Sequence, residues 1–259
     1  MSPLFGLASI SLPELLEKAE LQTRVDRKYV LPAAEVPALL ARFDRSTRAL
    51  EIDGERSFRY QSVYFDTPDL VSFRLAAHRR RRRFKIRTRT YLDSALCWLE
   101  VKTEGYRGGT VKSRLPYRPD DHATVTPGQE FVESILGDCS GLEFEPTLVT
   151  HYRRSTLYLP GGDSRATIDV DLTWSDESGR VLHQPHLAVV ETKTSSAASP
   201  VDRLLWSRGH RPASISKYAT GLAALRPELP AAPWRRTLRR HFAGANGIAP
   251  GVVPACDAA

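Results

Sequence analysis

The chain has 259 residues, a formal net charge of +7 and a hydrophobic content of 41%. This composition is typical of an ordinary globular protein, and the length allows one large domain or two small ones. Three scattered cysteines argue against a disulfide framework or a cysteine-rich metal site. No apolar run approaches the roughly 18 residues that a membrane-spanning helix needs, and the N-terminal residues lack the basic segment of a signal peptide. The excess of cations predicts a polyanionic partner.

Lysine is rare among the cations of this sequence, because only seven of the 37 Lys and Arg residues are lysines. Arginine is the residue used at positions where any cation would be sufficient. We therefore expect the few lysines to lie where a compact, mobile ammonium group is needed. They are Lys18, Lys28, Lys85, Lys102, Lys112, Lys193 and Lys217.

Eight segments alternate with the period of a β-strand, with charged or polar side chains on one face and aliphatic side chains on the other. Turn residues between them indicate mostly antiparallel hairpins. The segments cover residues 24–31, 60–66, 83–91, 97–103, 110–114, 147–159, 165–174 and 187–194. Helices are predicted from the capping box at residues 11–14 and over residues 32–43, 126–136, 200–207, 217–225 and 234–242.

The third strand segment follows a run of arginines and carries cations on every second residue. Arg83, Lys85, Arg87 and Arg89 would share one face, with neighbours roughly 6.5–7 Å apart. Four like charges in a row repel each other unless an anion lies between them, and phosphate is well matched to the guanidinium group. The alternative is a solvated basic edge strand that discourages aggregation.

Carboxylates share the charged faces with these cations, at Asp26, Glu100, Asp169, Asp171 and Glu191. A nucleic-acid groove seldom places so many carboxylates beside its phosphate contacts. The mixture suits a short polyphosphate bound together with a divalent ion, which carboxylate and phosphate oxygens would coordinate. The alternative is that each carboxylate pairs with a neighbouring cation on the sheet, which is the better interpretation for Asp169 and Asp171.

The alternation of charged and aliphatic residues fits two architectures. A half-buried sheet would expose its charged face to water, whereas a barrel would enclose that face as a charged lumen and cover its aliphatic outside with helices. The spacing of the residues alone does not separate the two.

Nine short motifs, in chain order, resemble the vacuolar transporter chaperone (VTC) domain, the polyphosphate polymerase branch of the triphosphate tunnel metalloenzymes. They are RVDRKY (24–29), SVYFDT (62–67), FKIRTRTY (84–91), WLEVK (98–102), TVKSRLPY (110–117), PTLVTHYRRSTLY (146–158), RATIDVDL (165–172), VVETK (189–193) and SISKYATG (214–221). Related cyclase and thiamine triphosphatase proteins begin with ExExK, whereas this chain has RxDxK, with Arg24 in place of the first Glu. The difference favours the polymerase branch and removes one metal ligand.

The resemblance implies an α+β fold, mainly antiparallel, with an eight-stranded tunnel barrel and flanking helices. Residues 1–228 would form this domain, and residues 229–259 a basic, Pro- and Ala-rich tail that is partly disordered. The segment 234–242 is interpreted as a solvated surface helix or, alternatively, as a basic amphipathic helix that touches a membrane or a partner.

The resemblance also implies the residues that handle phosphate. The catalytic phosphate ligands would be Lys28, Arg87, Arg89, Lys102, Lys112, Arg154, Arg165 and Lys217. The further substrate-binding residues would be Arg83, Lys85, Arg114, Tyr152, Lys193 and Ser216. Glu191 would be the carboxylate that holds Mn²⁺ or Mg²⁺. Arg154 is preferred over its neighbour Arg153 because of its spacing from Tyr152.

The activity implied is transfer of the γ-phosphate of ATP to a growing polyphosphate chain. Three alternatives stay open: a triphosphatase, a polyphosphate sensor without catalysis, and a nucleic-acid-binding protein that uses Arg79 to Arg83, although no nucleic-acid partner is expected. A cytoplasmic location follows, at the inner face of a membrane if a membrane protein exports the product, as in yeast-like relatives.

Overall fold

The computed structural model describes residues 3–18, 25–105, 109–137, 141–162, 164–194, 197–242 and 249–250. Arg24, Cys139, Cys256, most of the predicted disordered tail and the middle of the loop between Lys102 and Lys112 lie outside these ranges. The strands are β1 (Ala8–Ile10), β2 (Val25–Pro32), β3 (Arg48–Leu50), β4 (Phe58–Asp66), β5 (Phe84–Tyr91), β6 (Leu96–Glu104), β7 (Thr110–Tyr117), β8 (Glu145–Leu159), β9 (Ser164–Asp176), β10 (Arg180–Gln184), β11 (Leu187–Thr194) and β12 (Ala249–Pro250). The helices are α1 (Leu12–Lys18), α2 (Val36–Leu40), α3 (Val71–Ala77), α4 (Gln129–Leu136), α5 (Pro200–Ser207), α6 (Lys217–Leu225) and α7 (Arg235–His241).

Eight strands form one continuous antiparallel path in the order β7-β6-β5-β4-β8-β9-β11-β2. These are the eight segments in which the alternation predicts strands, so the mainly antiparallel α+β class is confirmed. The first half of β9 pairs with β11, and its second half pairs with β10. The long strands β8 and β9 therefore join the two halves of the sheet.

The expected closed barrel is wrong, because no ladder joins β2 to β7 within the described part of the chain. Both edge strands nevertheless face one cavity, to which β2 contributes Lys28 and β7 contributes Lys112. Pairing these edges would bring like charges together, which is unfavourable in a ladder. The sheet is strongly curved but open along this seam.

The outer face of the sheet is aliphatic and is covered by helices. Ile168 and Val190 pack against Val201 of α5, whereas Ile86 and Leu99 belong to a separate cluster under α4. Burial of each of these large aliphatic side chains contributes about 1.5–3 kcal/mol. The period-two pattern therefore orients the opposite, charged face toward the concave side of the sheet.

Helix α6 fills one end of the concave side. Tyr218 of this helix stacks on Tyr64 with ring centroids 5.2 Å apart, and its hydroxyl donates to the buried carboxylate of Asp66. Trp174 donates its indole N–H to the Lys217 carbonyl at 2.8 Å. These contacts fix the N-terminus of α6, and with it Lys217, against the charged part of the inner face.

Several elements differ from those expected. The helix predicted over 32–43 is a 3₁₀ turn (Ala33–Glu35) followed by the five-residue α2, because Pro37 has no N–H for a longer helix. Helix α3 and strands β1, β3, β10 and β12 were not predicted, since short elements carry little periodic signal.

Helix α7 lies within the segment interpreted as a surface helix or partner-binding helix. Trp234 and Phe242 are buried in the same apolar cluster as α6, and Thr237 donates its hydroxyl to the Ser214 carbonyl at 2.9 Å. Its arginines point to solvent. The domain division at residue 228 stays a prediction, although this helix packs on the core.

We predict that Gly221→Ala destabilises the protein by about 1–3 kcal/mol, because the new methyl group would collide with the buried indole ring of Trp174. Thermal unfolding measures the effect. Gly161→Ala is the matched control, since its methyl group would meet open space. Equal stability of the two variants would contradict the close packing of α6 on the inner face.

Candidate functional site

The charged part of the inner face opens into a cavity of about 410 Å³. Its wall combines residues from β2, β5, β6, β7 and β11 with the segments before β5 and before α6. The charged residues that line it are Asp26, Lys28, Arg79, Arg83, Lys85, Lys102, Glu104, Lys112 and Glu191, and Ser216 lies among them. Residues from opposite edges of the sheet thus meet at one place.

Three lysines of this cavity form no salt bridge with any described residue: Lys28, Lys85 and Lys102. Lys85 and Lys102 are directly paired across β5 and β6. Burial and the field of Lys28 lower the pKa of Lys85 to about 7. Burial and the field of Arg87 hold the pKa of Lys102 well below its usual range. Six cationic and three carboxylate side chains line the cavity, so its lining carries an excess of cationic groups.

Glu100 balances a second group of cations deeper in the site. It is 2% exposed and accepts from the Arg87 Nε at 2.7 Å. Lys112 forms a salt bridge with its other oxygen, and the Arg89 guanidinium lies 3.9 Å away. Burial opposes ionisation of Glu100, but the fields of Arg87 and Arg89 are stronger and keep its pKa below the ordinary value.

Asp169 balances a third group on the adjoining wall. Its two oxygens accept from the Arg154 guanidinium at 2.6 and 2.8 Å, and Lys217 of α6 forms a salt bridge with the same carboxylate. Burial raises the pKa of Asp169, yet Arg154 and Lys217 lower it more. Asp169 thus forms the expected ion pair, whereas Asp171 is exposed and lies within hydrogen-bond distance of the His183 Nε2, at 2.9 Å.

Tyr152 lies between these groups, with its ring 4.3 Å from the Lys217 Nζ and 5.3 Å from the Arg154 guanidinium. Its buried hydroxyl has no hydrogen-bond partner among the described residues. Burial raises the pKa of Tyr152, but Arg89 and Arg154 lower it below the ordinary value. The hydroxyl is therefore able to donate a hydrogen bond to an oxygen atom of a bound ligand.

Further unpaired polar atoms lie on the same inner wall. The Arg89 Nε and the hydroxyls of Ser62 and Thr150 are buried and lack partners in the described part of the chain. Ser62 is directly opposite both Arg89 and Thr150 in the sheet. Buried polar groups without partners are rare in folded proteins, so this row is suited to water or ligand oxygens.

Glu191 lies on β11 directly opposite Lys28 and accepts from the Lys193 Nζ at 2.9 Å. Lys193 also donates to Asp26 at 3.2 Å. Burial opposes ionisation of Glu191, but Lys193 and Lys28 lower its pKa well below the usual range. The described residues contain no group of three or more His, Cys, Asp or Glu side chains that could hold a metal. Glu191 fits a divalent ion only if ligand phosphates supply most of the remaining oxygens, which is how Mg²⁺ is commonly bound.

The other predicted site residues have these positions. Arg83 pairs with Glu104 at the cavity mouth, and the Arg114 guanidinium lies 4.5 Å from the Trp98 ring on an exposed part of β7. Ser216 caps α6 by accepting from the Ala219 N–H at 3.3 Å.

Strand pairing also places Arg165, which lies opposite Lys193 in the sheet. The two adjacent arginines of β8 differ in their exposure. Arg154 faces inward, whereas Arg153 is exposed.

Sequence reasoning grouped Glu100 with the cations but did not predict that it interacts with three of them. It assigned no role to Ser62 or Thr150. The signal for Ser62 was its place at the start of the SVYFDT motif, on the same alternating face as Tyr60 and Tyr64. Cross-strand register, which the sequence pattern does not specify, decides these contacts.

We predict that Glu100→Gln destabilises the free protein by about 3 kcal/mol, because it leaves buried cations without their counter-ion. Tripolyphosphate should then raise the melting temperature of this variant more than that of the wild type, since the added anion replaces the lost charge. Asp171→Asn, which removes an exposed carboxylate, is the control and should behave as wild type. A smaller tripolyphosphate shift in Glu100→Gln than in wild type would contradict this account of the charge balance.

Comparison with known proteins finds one family whose model matches this chain and solved structures that are distantly similar to it. No curated protein matches the chain significantly. A Hippeastrum protein, proposed as an adenylyl cyclase and described with a dominant triphosphatase activity, is 17% identical, covers 76% of this chain and 94% of its own, and has a TM-score of 0.46. A hypothetical protein from Pyrococcus furiosus is 14% identical, with coverages of 72% and 88% and a TM-score of 0.39. Both TM-scores are below 0.5, so neither likeness decides what this chain does.

The family comparison covers most of the sequence. The model of the VTC domain matches residues 23–226, which include the eight strands of the sheet path and helix α6. This match agrees with the resemblance carried by the nine motifs. The chain therefore belongs to the VTC domain family.

Proposed function

We propose that this chain is a polyphosphate polymerase that transfers the γ-phosphate of ATP to the end of a growing polyphosphate chain. Family membership supports a function with condensed phosphates. The observation that carries the proposal is the cavity itself, where Lys28, Lys85 and Lys102 converge and none of them forms a salt bridge with a described residue. A phosphate chain would supply the missing negative charge.

In this mechanism the cations bring two anions together. A terminal oxygen of the chain forms a bond to the γ-phosphorus, the bond from that phosphorus to the β–γ bridging oxygen breaks, and ADP leaves. Lys28, Lys85 and Lys102 would hold the reacting phosphates, and the Arg87 and Arg89 guanidinium groups would stabilise charge on the transferring group. Catalysis is then a matter of position and electrostatics.

A divalent ion, Mn²⁺ or Mg²⁺, would neutralise charge on the bound phosphates. Glu191 is the residue that would hold it, together with phosphate oxygens. Lys193 would release or share the Glu191 carboxylate when the ion binds, because it now donates to that group.

The inner carboxylates are unsuited to act as the general base of a triphosphatase, so among the cavity residues described that role would fall to Lys85, whose pKa is about 7. A triphosphatase must deprotonate water, for which an effective base has a pKa near the working pH. Glu100, Asp169 and Glu191 have lowered pKa values and are engaged by cations, which makes each a weak base. A terminal phosphate is already ionised at neutral pH and needs no base.

The test of the proposed function is incubation with ATP and Mn²⁺, followed by separation of the products. A polymerase gives long chains that an exopolyphosphatase degrades. Release of orthophosphate alone would identify a triphosphatase, and binding without turnover would identify a sensor. A membrane-protein partner that exports the product stays a prediction; in the described residues no helix is long and apolar enough to cross a bilayer.

We predict that Lys102→Met lowers turnover by at least roughly a hundredfold, because it removes an amino group that would hold the reacting phosphates. It leaves no buried carboxylate unpaired, so the fold should persist. Initial rates with ATP measure the effect, and Arg153→Met, which changes an exposed cation on β8, should retain wild-type rates. Full activity of Lys102→Met would refute the role of this cavity.

The lowered pKa of Lys85, about 7, predicts a pH dependence of tripolyphosphate binding. The ammonium is present below this pKa and is lost as the pH rises through it, so its attraction for phosphate weakens from about pH 6 to pH 8, by about tenfold in Kd. Lys85→Arg stays charged over this range and should lose that decline. Isothermal titration measures the Kd of both proteins across this pH range. Parallel pH profiles of the wild type and Lys85→Arg would contradict the assignment of the decline to Lys85.

A further inference from the structure

An exposed arginine loop forms part of the rim of the cavity. Residues 79–82 join α3 to β5, and all four arginines are exposed to solvent. Arg79 at its start and Arg83 just after its end both line the cavity. None of the roles implied by the resemblance uses Arg79 to Arg82.

The first three arginines of this loop are poorly compensated. Arg79, Arg80 and Arg81 form no salt bridge with the residues that the structure describes, whereas Arg83 just beyond them pairs with Glu104. Adjacent guanidinium groups repel one another in the absence of a counter-anion. The loop is therefore a surface of concentrated positive charge at the mouth of an already cationic cavity.

The backbone of the loop directs it to the rim. Arg79 has φ of 52°, in the left-handed region, and the N–H of Arg80 donates to the Leu75 carbonyl at 2.8 Å in a turn that ends α3. Glycine is the residue usually found at such a position, because a Cβ is unfavourable there. An arginine at this point keeps a cation on the rim despite the strain.

A second basic segment adjoins the same rim. Phe73 of α3 contacts Trp234 with ring centroids 5.7 Å apart, and Trp234 also lines the cavity. The next two residues, Arg235 and Arg236, are exposed at the start of α7. Arg235 and Arg236 thus follow directly on a residue that lines the cavity, although they are distant in sequence from the arginine loop.

We propose that this rim, formed by Arg79 to Arg82 with Arg235 and Arg236, binds the part of a condensed-phosphate chain that extends outside the cavity. The proposal rests on the proposed function, since the cavity must hold the end of that chain. It makes long, flexible polyphosphate the preferred ligand class over tripolyphosphate. Guanidinium groups pair with successive phosphates, and release of counter-ions from the chain favours binding. A stiff nucleic-acid duplex fits less well, because the rim borders a cavity that contains carboxylates.

The experiment compares two triple variants with the same change in charge. Arg80→Gln/Arg81→Gln/Arg235→Gln alters the rim and leaves Arg79, which lines the cavity, unchanged; Arg42→Gln/Arg45→Gln/Arg203→Gln alters exposed arginines that do not line the cavity. Kd values are measured for tripolyphosphate, long-chain polyphosphate and duplex DNA over a series of NaCl concentrations. Thermal unfolding verifies that both variants are folded.

The rim variant should lose at least about tenfold in affinity for long chains. For these chains, the slope of log Kd against the logarithm of the salt concentration should fall by roughly 2. Its Kd for tripolyphosphate should stay within about twofold of wild type, and the control should keep both affinities. An unchanged preference for long chains in the rim variant would overturn the inference, as would loss of DNA binding alone. Failure of wild type to bind tripolyphosphate would instead contradict the proposed function.

Discussion

Cations crowded onto one concave face of a sheet repel one another, and the organisation of this protein depends on how that repulsion is balanced. Glu100 offsets Arg87, Arg89 and Lys112, while Asp169 offsets Arg154 and Lys217. Both carboxylates are almost completely buried, so each interaction acts in a medium of low dielectric constant. These two carboxylates stabilise the inner wall without neutralising the cavity above it.

The positions of the lysines show the same division between a wall held by carboxylates and the cavity above it. Six of the seven lysines lie on the inner face, and only Lys18 lies elsewhere. Arginines with fixed carboxylate partners build the wall, because a planar guanidinium is suited to paired hydrogen bonds. The mobile ammonium groups of Lys28, Lys85 and Lys102 face the open space instead. Such groups adapt to a ligand whose phosphates must move during a reaction.

The strands and the orientation of their charged faces could be predicted from the sequence because alternation is a local property. Closure of the barrel could not be predicted, since it depends on whether β2 and β7, two strands far apart in the sequence, pair with each other. The contacts of Glu100 were also beyond prediction: they follow from the register that sets Arg87 directly opposite Glu100 and brings Arg89 and Lys112 of the two adjacent strands within reach. Helix α3 was missed because its seven residues lie between a turn and a run of arginines, but it positions the arginine loop on the rim.

The central claim is that the inner face holds a chain of phosphates between Lys28, Lys85 and Lys102. The most direct test is a crystal structure of the protein with tripolyphosphate and Mn²⁺. The account predicts phosphate density in the cavity, with oxygens bonded to these three ammonium groups and to the Tyr152 hydroxyl, and the ion beside Glu191. Phosphate bound only on the outer surface, with the cavity free of it, would contradict the account.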